Sequence, residues 1–108
     1  MALAVRMVNL YKYLTEEKKE YVLSKQVLRS GTTVGAMVYE SEHSESTSDF
    51  IHKLAIAQKE INETLYWLEL LSRTDYITPK EYDSIRTDAT EVIKLLTSIL
   101  KTTKEQQQ

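Results

Sequence analysis

Cysteine is absent from this chain, and glycine and proline nearly so: two glycines and one proline in 108 residues. Without cysteine there is no disulfide, no thiolate nucleophile and no cysteine-ligated zinc. Gly31, Gly35 and Pro79 leave few places for tight turns, which favours long helices. Histidine is scarce as well, with only His43 and His52. No apolar run approaches the ~18 residues that a membrane span needs. The start, Met1-Ala2-Leu3-Ala4-Val5-Arg6, lacks the long apolar core and cleavage site of a signal peptide, so a cytoplasmic location without membrane attachment is expected. A chain of this length makes one domain and buries its own core. The net charge of −2 weakens nonspecific nucleic-acid binding, which depends on positive charge.

What the chain does have is a long amphipathic stretch, Ser46 to Asp75. Phe50, Leu54, Ala57, Ile61, Leu65, Leu68 and Leu71 recur at steps of three and four with no glycine or proline between them. That spacing predicts a helix with one continuous apolar arc. Ala55, Ile56, Tyr66, Trp67 and Leu70 fall on the opposite side, among Lys59 and Glu63. A helix at the edge of a lone bundle needs only one apolar stripe. The second face predicts a protein contact, with Ile56, Trp67, Leu70 and Tyr66 at an oligomer interface.

The remaining helices follow in order. Leu3, Met7, Leu10 and Leu14 set a first helix over 2–16. Leu23, Val27, Val34 and Val38 set a second over 20–42. Gly31 and Gly35 lie inside it, four apart. The apolar period runs through them in register, so the helix is read as continuous, with another backbone packed closely against the glycines. Glu40 to Asp49 is a polar, acidic turn, and Ser46 with Asp49 resembles a cap. Thr78-Pro79-Lys80-Glu81 opens a fourth helix over 79–103, with threonine at the cap, proline first and glutamate third. Its stripe includes Tyr82, Ile85, Ala89, Val92, Leu96 and Leu100. The sequence therefore predicts an all-α fold, an antiparallel up-down-up-down four-helix bundle over 1–104, with a frayed tail at 105–108.

Charge is unevenly placed. Residues 1–39 hold six Lys/Arg against three acids, 40–75 three against eight, and 76–108 five against five. A basic first hairpin packed against an acidic central helix follows. Lys18, Lys25 and Arg29, with Tyr13 and Tyr21 nearby, form a basic stripe on that hairpin. Such a mix binds nucleic acid through phosphate contacts and stacking, which gives a second functional reading.

No catalytic constellation is found. The two glycines do not make a phosphate-cradling loop, and neither histidine belongs to a triad pattern. Glu40-Ser41-Glu42-His43 has the Glu-x-x-His spacing of bundle metal sites, and Glu60 and Glu63 are further carboxylates. However, Asp49-Phe50-Ile51-His52 is only a near miss, and both segments flank one turn instead of the bundle centre. No metal, no cofactor and no enzymatic activity are expected.

Val22-Leu23-Ser24-Lys25-Gln26-Val27-Leu28-Arg29-Ser30-Gly31-Thr32-Thr33-Val34-Gly35-Ala36 resembles the second-helix signature of the 23S ribosomal RNA intervening-sequence proteins, also called four helix bundle proteins. Asp49 to Ala57, and Glu60 with Glu63-Thr64-Leu65-Tyr66-Trp67-Leu68-Glu69-Leu70-Leu71, resemble the third-helix signature. The likeness runs from about Ala4 to Thr103 and implies a small bacterial cytoplasmic bundle with no assigned biochemical activity. It also implies a homo-oligomeric ring, with a pentamer expected. The family is similar to the accessory proteins of diversity-generating retroelements, basic barrels that bind nucleic acid and a reverse transcriptase. This chain departs from those in its acidic balance. It also begins later than many relatives, which carry several residues ahead of the first helix.

Overall fold

In a computed structural model that describes residues 1–106, the chain forms four helices: α1 (Ala2–Glu16), α2 (Leu23–Ser41), α3 (Thr47–Arg73) and α4 (Pro79–Gln106). They make the four-helix bundle expected from the stripes. The close pairings follow the chain, α1 with α2, α2 with α3 and α3 with α4. The whole measures 49 × 22 × 18 Å.

The helix starts show why the elements begin where they do. Ser46 caps α3 by accepting from the Asp49 amide at 3.0 Å. At α4 the box is reciprocal: Thr78 Oγ1 accepts from the Glu81 amide at 3.1 Å, and Glu81 Oε1 accepts from the Thr78 amide at 3.0 Å. The bond from the Thr78 amide first, and then the Thr78 side chain, hold the Glu81 carboxyl below its ordinary pKa.

Helix α2 starts three residues later than the sequence predicts. Lys19 takes a left-handed backbone conformation, φ 55°, and breaks the chain direction. Glu20 then folds back: its carboxylate accepts from the Ser24 amide at 2.7 Å and the Val22 amide at 3.2 Å. A buried glutamate thus satisfies amides that no earlier helical turn could. At the other end of the chain α4 runs past the predicted 103, so Glu105 and Gln106 are helical, and Gln107 and Gln108 lie outside the described residues.

Two core clusters stack along the bundle. The near cluster, at the end holding the α1–α2 and α3–α4 connections, draws on all four helices: Met7, Leu10 and Leu14 of α1 meet Val27, Leu68 and Ile85. The far cluster is built by α2, α3 and α4 around Val34, Leu54, Ile61 and Leu96, with Leu3 the only α1 side chain packed against it. The cause is length. Helix α1 has 15 residues against 27 and 28 in α3 and α4, so at 1.5 Å per residue it stops roughly 20 Å short.

The glycines of α2 divide between these regions. A β-carbon on Gly31 would collide with Cγ and Sδ of buried Met7, so glycine is what lets α1 approach there. On Gly35 it would meet only the Ala4 β-carbon at an ordinary 3.7 Å. The close neighbour at Gly31 is thus the Met7 side chain, and the neighbour at Gly35 is at ordinary contact distance.

Candidate functional site

The second apolar face of α3 is only partly open. Ile56, Trp67 and Leu70 are half-buried, and Tyr66 is 59% exposed. Trp67 packs against the near core cluster, with Tyr66 edge-on to it at 5.0 Å. Its indole Nε1 is buried and has no partner in hydrogen-bonding geometry, although Glu63 is close enough for the indole to contribute weakly to that carboxyl's low pKa. So Tyr66, and not Trp67, is the exposed member of the predicted interface.

The basic stripe is divided. Lys18 and Lys25 are exposed near the α1–α2 connection, and Lys18 Nζ lies 5.8 Å from the centre of the Tyr13 ring. Arg29 instead reaches across to α3, with Nη1 3.1 Å from Glu60 and Nη2 2.7 Å from Glu63. Its guanidinium lowers the Glu63 pKa, and Glu63 in turn raises that of Arg29. This is the predicted pairing of a basic hairpin with an acidic helix, made through one residue. It leaves Arg29 facing α3 and not a free basic surface. Just inside it, Ser30 and Thr64 share a buried hydrogen bond of 2.9 Å.

The residues weighed for metal binding do not converge. Glu60 and Glu63 hold Arg29, while His43 lies by the α2–α3 turn against the Tyr39 ring, 5.6 Å between centroids. Among the described residues no group of three or more His, Asp or Glu side chains could hold an ion. No helix there is long and apolar enough to cross a membrane.

Two features escaped the sequence reading. The first is a groove of about 360 Å³ at the far end, above the start of α1, lined by Leu3, Val38, Phe50, Leu95 and Ile99 among others. The second is a set of exposed apolar side chains on α1 and α2: Val5 at 51%, Val8, and Tyr39 at 65%. A signal for it did exist. Residues 1–11 carry one charged side chain, Arg6, and residues 26–39 carry one, Arg29. Both turn away from that face, Arg29 to α3 and Arg6 to Ser84 and Asp88 of α4.

Comparison with known proteins gives a consistent result. The family model described as 23S rRNA-intervening sequence protein matches residues 1–98. A solved structure from Bacteroides thetaiotaomicron VPI-5482, a protein with unknown function from the S23 ribosomal protein family, is 61% identical. The match covers 93% of each chain with a TM-score of 0.92. No curated protein matches.

Proposed function

We propose, for a chain that belongs to the 23S rRNA-intervening sequence protein family, a non-enzymatic role as a homo-oligomeric interaction or scaffold protein acting in the cytoplasm. The assembly we favour is a ring of five. The observation that supports it is Tyr66, a large side chain left 59% exposed on a helix face where Ile56 and Leu70 are also only half-covered. Apolar surface of that kind marks contact sites. Light scattering on the eluting native protein is the test. A mass near five chains is expected, and Tyr66→Glu should lower it. Tyr66 serves better than Trp67 because a charge at Trp67 would also disturb the core. A single-chain mass for the unaltered protein would reject the reading.

A second reading is RNA binding through the hairpin. It is favoured by the exposed Lys18 and Lys25 and by a family description that refers to 23S rRNA. With Arg29 engaged, the surface is smaller than the sequence suggests. Binding to an rRNA fragment should fall steeply as salt rises. No gel shift at low salt with micromolar protein would dismiss it.

A further inference from the structure

We propose that the far-end groove is a docking site for a basic amphipathic helix of another protein, held with its apolar face inward and its lysines or arginines along the flanks. The proposal does not depend on the oligomeric reading, because the groove uses the inner face of α3 and not the outer one that carries Tyr66.

The first argument is shape. Arg6 meets Asp88 at 2.6 Å, which sets the register of α1 against α4, two helices running in opposite directions. Met1 therefore stands about level with Ile93, and α4 continues to Gln106, roughly 20 Å further at 1.5 Å per residue. Over that span α2, α3 and α4 present Val38, Phe50, Leu54, Leu95 and Ile99 to the groove. Leu95 is 60% exposed, and Val38, Phe50 and Ile99 are only half-buried. Through Ser41, Glu42 and Phe50 the groove runs on into a second hollow that reaches Thr103 and Gln106. A trough of that length takes about three to four helical turns, in the way an amphipathic helix lays its apolar face into a hydrophobic groove.

The second argument is charge. Glu42 stands on the α2 wall of the groove. Glu91 stands on the α4 rim, in a side hollow that shares Leu3, Val92 and Leu95 with the groove. Both are exposed, and neither has an ion-pair partner among the described residues. Asp88, one turn from Glu91, is already matched by Arg6. Among the described residues no lysine or arginine lines the groove or these two hollows, and the Met1 amino group is the one cation beside them. Lys94 and Lys101 of α4 lie roughly 100° or more round the helix from Leu95, and Lys53 of α3 is held by Asp49.

Glu42 is also placed against its own helix. It caps the C-terminal end of α2, where the helix dipole favours cations, and the last turn of α2 holds no basic residue. An acid at that position, beside an apolar groove, is matched by a cation from outside the chain. An apolar centre with charge at its rim is the make-up of a docking surface, and the sign of this rim selects a basic partner.

The test uses the whole protein and a displayed library of helices about 14 residues long, ~20 Å. Their apolar faces vary at i, i+3, i+4, i+7 and i+11, and their flanks carry Lys, Glu or Gln. Binders with lysine flanks are expected, and Leu95→Lys should weaken them about tenfold or more. Leu95 is more than half exposed, and helical circular dichroism checks that the variant is folded. Glu42→Gln and Glu91→Gln should each weaken binding about two- to fivefold, the range of exposed ion pairs. Glu42→Lys combined with Glu91→Lys should select glutamate-flanked helices instead, a reversal that damage to the fold would not produce. Failure to enrich any helix, flanks without an excess of lysine, or binding unchanged by Leu95→Lys would each overturn the proposal. So would a fall in the native mass of Leu95→Lys, which would put a second copy of the chain in the groove.

Discussion

The near and far ends of the bundle are built from the same kinds of residue and are packed differently. At the near end four helices converge, and Met7 and Leu14 are wholly buried among Val27, Leu68 and Ile85. At the far end three helices carry the core. An apolar groove stays open there, and side chains such as Val38, Phe50 and Val92 are only half-covered. The contrast shows how a bundle can finish folding at one end while keeping adaptable apolar surface at the other.

Truncating the core is the strongest way to break this comparison. Leu68→Ala at the near end should destabilise by about 3–5 kcal/mol, because four packed helices cannot collapse on the cavity. Leu54→Ala, which lines the far groove, should cost nearer 2 kcal/mol, since the site is already open to relaxation. Equal losses in urea denaturation would mean that the two ends are equally packed. The glycines repeat the test on a smaller scale. Gly31→Ala should destabilise by ~1–2 kcal/mol as Met7 is displaced from a full site. Gly35→Ala should stabilise by up to ~1 kcal/mol, because helix propensity improves and the β-carbon has room. Thermal melts on the pair of variants would show opposite shifts.

The clasp midway along the bundle should have a smaller effect. Arg29→Met should lose about 1 kcal/mol or less, since Arg29 and Glu63 are partly exposed and screened. Its dependence on acidity has a definite sign. The folded-state pKa of Glu63 is lowered, first of all by its hydrogen bond to Arg29. The contribution is therefore complete above the ordinary carboxylate range and disappears as pH falls through the lowered value. Stability of the parent and Arg29→Met should converge in acid. Smallest of all, Val92→Ile should gain about half a kcal/mol by filling the groove; no gain in melting temperature would show that the groove has no room for a methylene.

Much of this fold was legible in the residues. The steps Leu3-Met7-Leu10-Leu14 and Leu54-Ala57-Ile61-Leu68 mark buried seams because only core contact rewards strict helical spacing. The caps at Ser46 and Thr78 were legible because their chemistry is local. Glu20 was not, since its role depends on the left-handed Lys19 turning the chain, and a glutamate in a charged run has no periodicity to betray it. The packing of Trp67 against the near core was not legible for a related reason. Its position on the helix is fixed by sequence, but whether a neighbour covers it is decided by packing. The face around Val5 and Tyr39 was hidden because apolar periodicity points to the core stripe and says nothing of apolar residues left outside. The missing charges were the better guide.

Glycine is distributed in this chain against its usual use. Both glycines lie inside a helix, while the two left-handed positions in the connections, Lys19 at φ 55° and Asp75 at φ 67°, hold residues with side chains. A left-handed residue with a β-carbon is strained by ~1–2 kcal/mol, part of which glycine would return. For anyone seeking a heat-tolerant version of the protein, the shortest route is to relocate glycine: out of position 35, and into positions 19 and 75.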